Sequence, residues 1–238
     1  LLDIDSHYFR VLFVFVGFAC LGNGLLYTRM PIVSMPEKDD TVPTKMWQTL
    51  RSHRVFAHVL YSWFLAGMAM HLILVQKTEY LVSLVESLNI STTEIALYAT
   101  AIPELCKLVA MPFFALLFDR MNFVSLRILV NSIFLSYIPL YFLVGNRFGI
   151  ILGTIVHGIG MGGGMLMWKL GVTKFAPKDQ TGNFMAIHTY LTGIRGIIAP
   201  IIGYQIIAAT TFAQAGYVAI ALMVGSLLWL FWLKREGH

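Results

Sequence analysis

The chain has 238 residues, of which 58% are hydrophobic and only 12% charged, and its mean hydropathy is +0.74. Soluble domains carry about 25% charged residues, so this composition excludes a water-coated globule and leaves lipid as the solvent for most side chains. The net charge of +5 does not indicate a nucleic-acid partner, because the 17 lysines and arginines are spread among the connections between apolar runs.

The first apolar segment covers residues 8–27. No basic n-region precedes it, so it does not read as a cleavable signal peptide, and the chain is expected to begin in the middle of something larger. A polar stretch, residues 28–54, follows with Pro31, Pro36, Pro43 and the charged run Glu37-Lys38-Asp39-Asp40. Its second half, 44–54, is expected to form a short interfacial helix anchored by Trp47, and the whole stretch reads as a linker between two bundles. The second segment starts near Val55, is apolar to Val75, carries Gln76, Lys77 and Glu79, and turns apolar again to Val85. The third, 93–118, ends on Asp119-Arg120, and the fourth is 126–145. The fifth, 148–168, contains Gly158, Gly160, Gly162, Gly163 and Gly164. After a polar loop, 174–183, come a sixth segment, 184–209, with Pro200, and a seventh, 215–233.

Open strand edges find no hydrogen-bonding partner in lipid, and these runs are far longer than barrel strands, so all seven are predicted as helices. The glycine cluster is expected either to let helices approach closely or to act as a bend, and Pro200 beside Gly203 marks an expected kink. Cys20 and Cys106 lie inside apolar segments and read as small buried hydrophobes.

Seven crossings put the two ends on opposite sides, and the Lys/Arg bias decides which side is cytoplasmic. One face collects Arg29, Lys38, Lys45, Arg51, Arg54, Arg120, Arg127, Lys169, Lys174, Lys178, Lys234 and Arg235, against Arg10, Lys77 and Arg147 on the other. The linker and the C-terminus are therefore expected inside and Leu1 outside. Asn89-Ile-Ser91 then falls outside and fits a glycosylation acceptor, a triplet also common by chance.

Ionisable groups inside spans are costly and mark functional sites by default. Glu104 and Lys107 sit three residues apart on one helix face. Arg195 lies about a dozen residues into its segment, which at 1.5 Å per residue is near mid-membrane, and Glu104 reaches a similar depth from the opposite surface. Two readings follow. In one, Glu104, Lys107 and Arg195 surround a solvated substrate site and Glu104 takes a proton. In the other, a Glu104–Lys107 or Glu104–Arg195 pair only holds helices together. His157, beside the glycine cluster, is a candidate for proton relay or substrate contact or a neutral histidine at a helix contact. No metal-ligand cluster, nucleophile–base pattern or phosphate-binding loop stands out, so no cofactor, no metal and no enzymatic activity are expected.

The pattern resembles the C-terminal half of a major facilitator superfamily transporter, and the likeness covers the whole chain. Asp119 and Arg120, with Arg127 as a late basic residue, match the family's loop motif G-x-x-x-D-R-x-G-R-[RK], although Ala115 and Asn122 replace its two glycines. The run from Phe175 to Asn183, followed by Leu191 to Gly203, is similar to the connection between helices ten and eleven and to the eleventh helix of bacterial members. The charged linker ahead of six spans is the third point of likeness. The resemblance implies an all-α polytopic membrane protein: residues 1–27 as the family's sixth helix, 28–54 as its central cytoplasmic loop, and 55–238 as a six-helix C-terminal bundle, helices seven to twelve. It assigns Asp119, Arg120 and Arg127 to a gating latch and puts Glu104, Lys107, His157 and Arg195 on the helices that face the central cavity.

The function expected from this reading is secondary transport of a small polar or anionic solute by alternating access, in a bacterial cytoplasmic membrane, with proton symport as an addition. Its partners would be the lipid bilayer, the solute, and an N-terminal helical bundle lying upstream or on another chain. The alternatives are a non-transporting structural or assembly subunit with a facilitator-like fold and, less well supported, a seven-helix receptor.

Overall fold

The computed structural model describes residues 7–29 and 42–237. The part of the expected linker at 30–41, including the charged run Glu37–Asp40, and the first six residues lie outside the described residues. Among the described residues every regular element is helical. In chain order these are α1 (His7–Thr28), α2 (Val42–Ser52), α3 (Arg54–Leu74), α4 (Lys77–Ser83), α5 (Val85–Leu88), α6 (Thr92–Ala96), α7 (Ile102–Arg120), α8 (Phe123–Phe142), α9 (Arg147–Leu170), α10 (Thr181–Ala209) and α11 (Phe212–Arg235). Six helical stretches are long and apolar enough to cross a membrane: 54–83, 92–120, 123–142, 147–174, 181–209 and 212–235. Ahead of these six, α1 is a helix of 22 residues over the expected first segment, with Phe13–Leu26 as an apolar stretch within it. Its Phe13, Phe15, Phe18 and Leu25 are all exposed, as lipid-facing side chains are.

Four of the six crossings start on a side-chain cap. Asn122, where the resembled loop motif has a glycine, caps α8 by accepting from the Val124 and Ser125 amides at 2.8 and 3.4 Å. Asn146 caps α9 and Thr211 caps α11 in the same way, each satisfying a donor that the first helical turn leaves free. Ser91 and Glu94 form a reciprocal capping box at the start of α6. The crossing that α6 begins then widens into one π-helical turn, Leu97–Ala101, before α7. Pro103 gives the reason, since it lacks the amide that an α-helix would use there and its ring crowds the preceding turn.

The helices pack α7 on α9, α9 on α8, α8 on α11, α11 on α3 and α3 on α10. The glycine cluster lets α7 and α9 meet: a Cβ on Gly158 would sit 2.5 Å from the Pro103 carbonyl oxygen, and one on Gly162 3.1 Å from that of Lys107. Gly163 serves both α8 and α7, since a Cβ there would meet Val130 at 2.6 Å and the Phe114 ring at 2.8 Å. Close packing of this kind is what associates helices in lipid, where apolar surface gains nothing by leaving the tails.

A buried polar clasp ties α3, α8 and α11. The Ser62 and Ser226 hydroxyls are 2.8 Å apart, Ser226 Oγ lies 2.8 Å from the Ser62 carbonyl oxygen, and Asn131 Nδ2 donates to Ser226 Oγ at 2.9 Å. Each such bond between membrane helices contributes on the order of 0.6–1.7 kcal/mol. Ser226→Ala strips Asn131 and Ser62 of a shared partner and is expected to destabilise the bundle by about 1–2 kcal/mol. Thermal melting in detergent reads this as a lowered midpoint, and an unchanged midpoint would show that the clasp holds nothing.

Candidate functional site

A cavity of about 400 Å³ opens among α3, α8, α9 and α10. Its floor is set by Arg195, which lies in mid-helix on α10 and is 6% exposed. Arg195 Nη1 donates to the Trp63 carbonyl oxygen at 2.6 Å. Gly67 on α3 makes this reach possible, because a Cβ there would collide with the Arg195 guanidinium. From α8, Arg127 extends to the same place, with its guanidinium carbon 4.9 Å from the centre of the Trp63 ring. It is 5% exposed. Two cations are thus buried in one apolar setting, and each has an Nε without a hydrogen-bond partner. Among the described residues neither arginine forms an ion pair, and no carboxylate lines the cavity.

His188 completes this group. It lies seven residues, about two turns, before Arg195 on the same face of α10. Its ring is 4.2 Å from Trp63 and 6.0 Å from Trp168, and its Nε2 has no partner. The rest of the wall is mostly apolar, with Met70, Leu74, Phe134, Met161 and Met165 beside the two tryptophans. His71 faces the cavity but turns its Nδ1–H to the Gly67 carbonyl oxygen at 2.8 Å.

The other expected site residues gather elsewhere. Glu104 and Lys107 form an ion pair along α7, with the carboxylate 55% exposed. Lys77 is buried at the start of α4. His157 is buried with its ring 4.6 Å from that of Tyr137, and neither ring nitrogen has a partner. The structure therefore pairs Glu104 with Lys107, sets His157 against Tyr137 and Phe134 of α8, and places Arg195 in a different company, with Arg127 and His188.

The loop residues separate too. Asp119 and Arg120 are exposed at the end of α7, whereas Arg127 turns into the cavity. No ion pair joins Asp119 to either arginine. Trp63, Gly67, Trp168 and His188 escaped the sequence reading. The seven-residue spacing of His188 and Arg195 on one helix face was the one available signal for the histidine, and it went unread. Nothing local marks Gly67, whose role exists only because α10 crosses it.

Comparison with known proteins bears on this geometry. Residues 78–238 match the family model of the Major Facilitator Superfamily. The chain is also 28% identical, over 89 residues, to a protein described as MFS-type transporter TwmF from Talaromyces wortmannii. That stretch is 37% of this chain and 16% of the relative, so the chain spans only a small part of that protein's length. No solved structure matches the chain.

Proposed function

The chain belongs to the major facilitator superfamily, and on that premise we propose that it forms the C-terminal half of a secondary transporter that moves a small polar or anionic solute by alternating access. The observation that supports this is the cavity itself, which is bounded by several crossings and holds two buried cations with no carboxylate among its lining residues. Rocking one helical bundle against another around such a site alternately exposes it to the two sides, and the partner bundle would come from a preceding segment or a second chain. The Lys/Arg bias supports an orientation with the linker and the C-terminus inside.

The exposed carboxylate of Glu104, paired with Lys107, is the candidate for proton coupling in this scheme. Asp119 and Arg120, exposed at a helix end, are the candidates for the gating latch. The test uses the protein as its complete gene encodes it, reconstituted in vesicles and screened with labelled solutes under an imposed pH gradient. Wild type is expected to accumulate its solute uphill, and Glu104→Gln to equilibrate it without accumulation. Unchanged uphill uptake in Glu104→Gln would remove Glu104 from the mechanism. Filling the cavity by Gly164→Trp should stop uptake altogether; full uptake in that variant would place the solute elsewhere.

A further inference from the structure

The cavity chemistry narrows the solute. We propose, resting on the transport reading above, that the cavity takes organic anions with a flat apolar body, whose carboxylate is gripped by Arg127 and Arg195 while the body packs on Trp168, Met161 and Met165. A buried charge is costly unless it is paired, and here two like charges lie close enough to act on each other with no acid between them. The guanidinium that Arg195 fixes on the Trp63 carbonyl uses one Nη1 hydrogen, which leaves its other donors for a ligand. Planar guanidinium forks match a carboxylate in geometry as well as charge.

The walls argue against a small inorganic anion. Phosphate or sulfate carries oxygens on every side, and Met70, Leu74, Phe134 and Met161 offer them no hydrogen-bond donor. A carboxylate confines its two acceptors to one end. The remaining volume, within about 400 Å³, then suits an aromatic-sized body, because ligand sites of this size bind chiefly through apolar contact with a few placed polar groups. Trp168, which is only half-buried, supplies a flat face for it, and the thioethers of Met161 and Met165 pack around it.

The experiment is titration calorimetry on the protein as encoded by its complete gene, in lipid nanodiscs, with 2-naphthoate, its neutral counterpart 2-naphthamide, and inorganic phosphate. The acid is expected to bind at least tenfold more tightly than the amide, and phosphate not to compete with it. Arg195→Gln and Arg127→Gln should each weaken the acid at least tenfold and leave the amide unchanged. Equal binding of acid and amide to wild type overturns the inference, and that comparison needs no variant to fold. So does competition by phosphate, or undiminished acid binding in a folded Arg195→Gln protein. Uptake separates this failure from failure of the transport reading. If 2-naphthoate does not bind but Gly164→Trp still stops uptake of glucose or choline, the cavity carries a solute of another class. If Gly164→Trp leaves all uptake intact, the cavity is not the pathway.

Discussion

Gly67→Ala is expected to cut solute uptake at least tenfold while leaving the protein folded. The added methyl would occupy the space of the Arg195 guanidinium. What it meets is the far end of a flexible side chain, so the helices need not part and the protein should stay folded, with a melting midpoint only modestly lowered by the loss of one hydrogen bond. The arginine must swing away instead, and in doing so it loses its 2.6 Å bond to the Trp63 carbonyl oxygen. That bond is what holds the guanidinium at the cavity, and without it Arg195 no longer stands beside Arg127 to meet the solute. The measurements are vesicle uptake and melting on the same preparation. Wild-type uptake in Gly67→Ala would show that the position of Arg195 against α3 is immaterial to transport.

Gly158→Val is expected to act on the bundle rather than on the solute. A Cβ at this position would lie 2.5 Å from the Pro103 carbonyl oxygen and 2.6 Å from Cys106 Cβ. The first of these is backbone and cannot rotate aside, so α7 and α9 must separate along their contact. Overpacking typically costs 1–3 kcal/mol and occasionally more, and a clash with backbone belongs at the upper end, about 3 kcal/mol. The expected result is a markedly lowered melting midpoint and loss of monodisperse protein in detergent. Gly164→Ala is the control, because its Cβ would meet only the Phe134 ring, at 3.2 and 3.3 Å. Equal midpoints for Gly158→Val and Gly164→Ala would mean that α7 and α9 do not pack through this glycine.

The pair on α7 shows how far one helix can be read by itself. Glu104 and Lys107 are three residues apart, and the structure pairs them as that spacing predicts. Arg127 shows the limit. Seven residues after Arg120, it reads as part of a charged loop, yet Asn122 starts α8 directly after α7. One turn into that helix, Arg127 is carried under the tryptophan of α3. For His157 and Arg195, too, position along a helix does not say which neighbour each one faces. His157 meets Tyr137 of α8, and Arg195 meets Trp63 of α3.

The sequence by itself determined the solvent, the helical class, the membrane-crossing segments from α3 onward and the ion pair within α7. Those properties follow from composition, run length and spacing along a single helix, and lipid permits little else for an unpartnered backbone. The assembly of the cavity was decided only by the tertiary structure. These helices are apolar on nearly every side, so their patterning does not mark an inward face in the way an amphipathic helix does. The facing sides are chosen by where small residues allow approach, and it is the crossing of α3 and α10 at Gly67 that sets Arg195 beside Arg127 and His188.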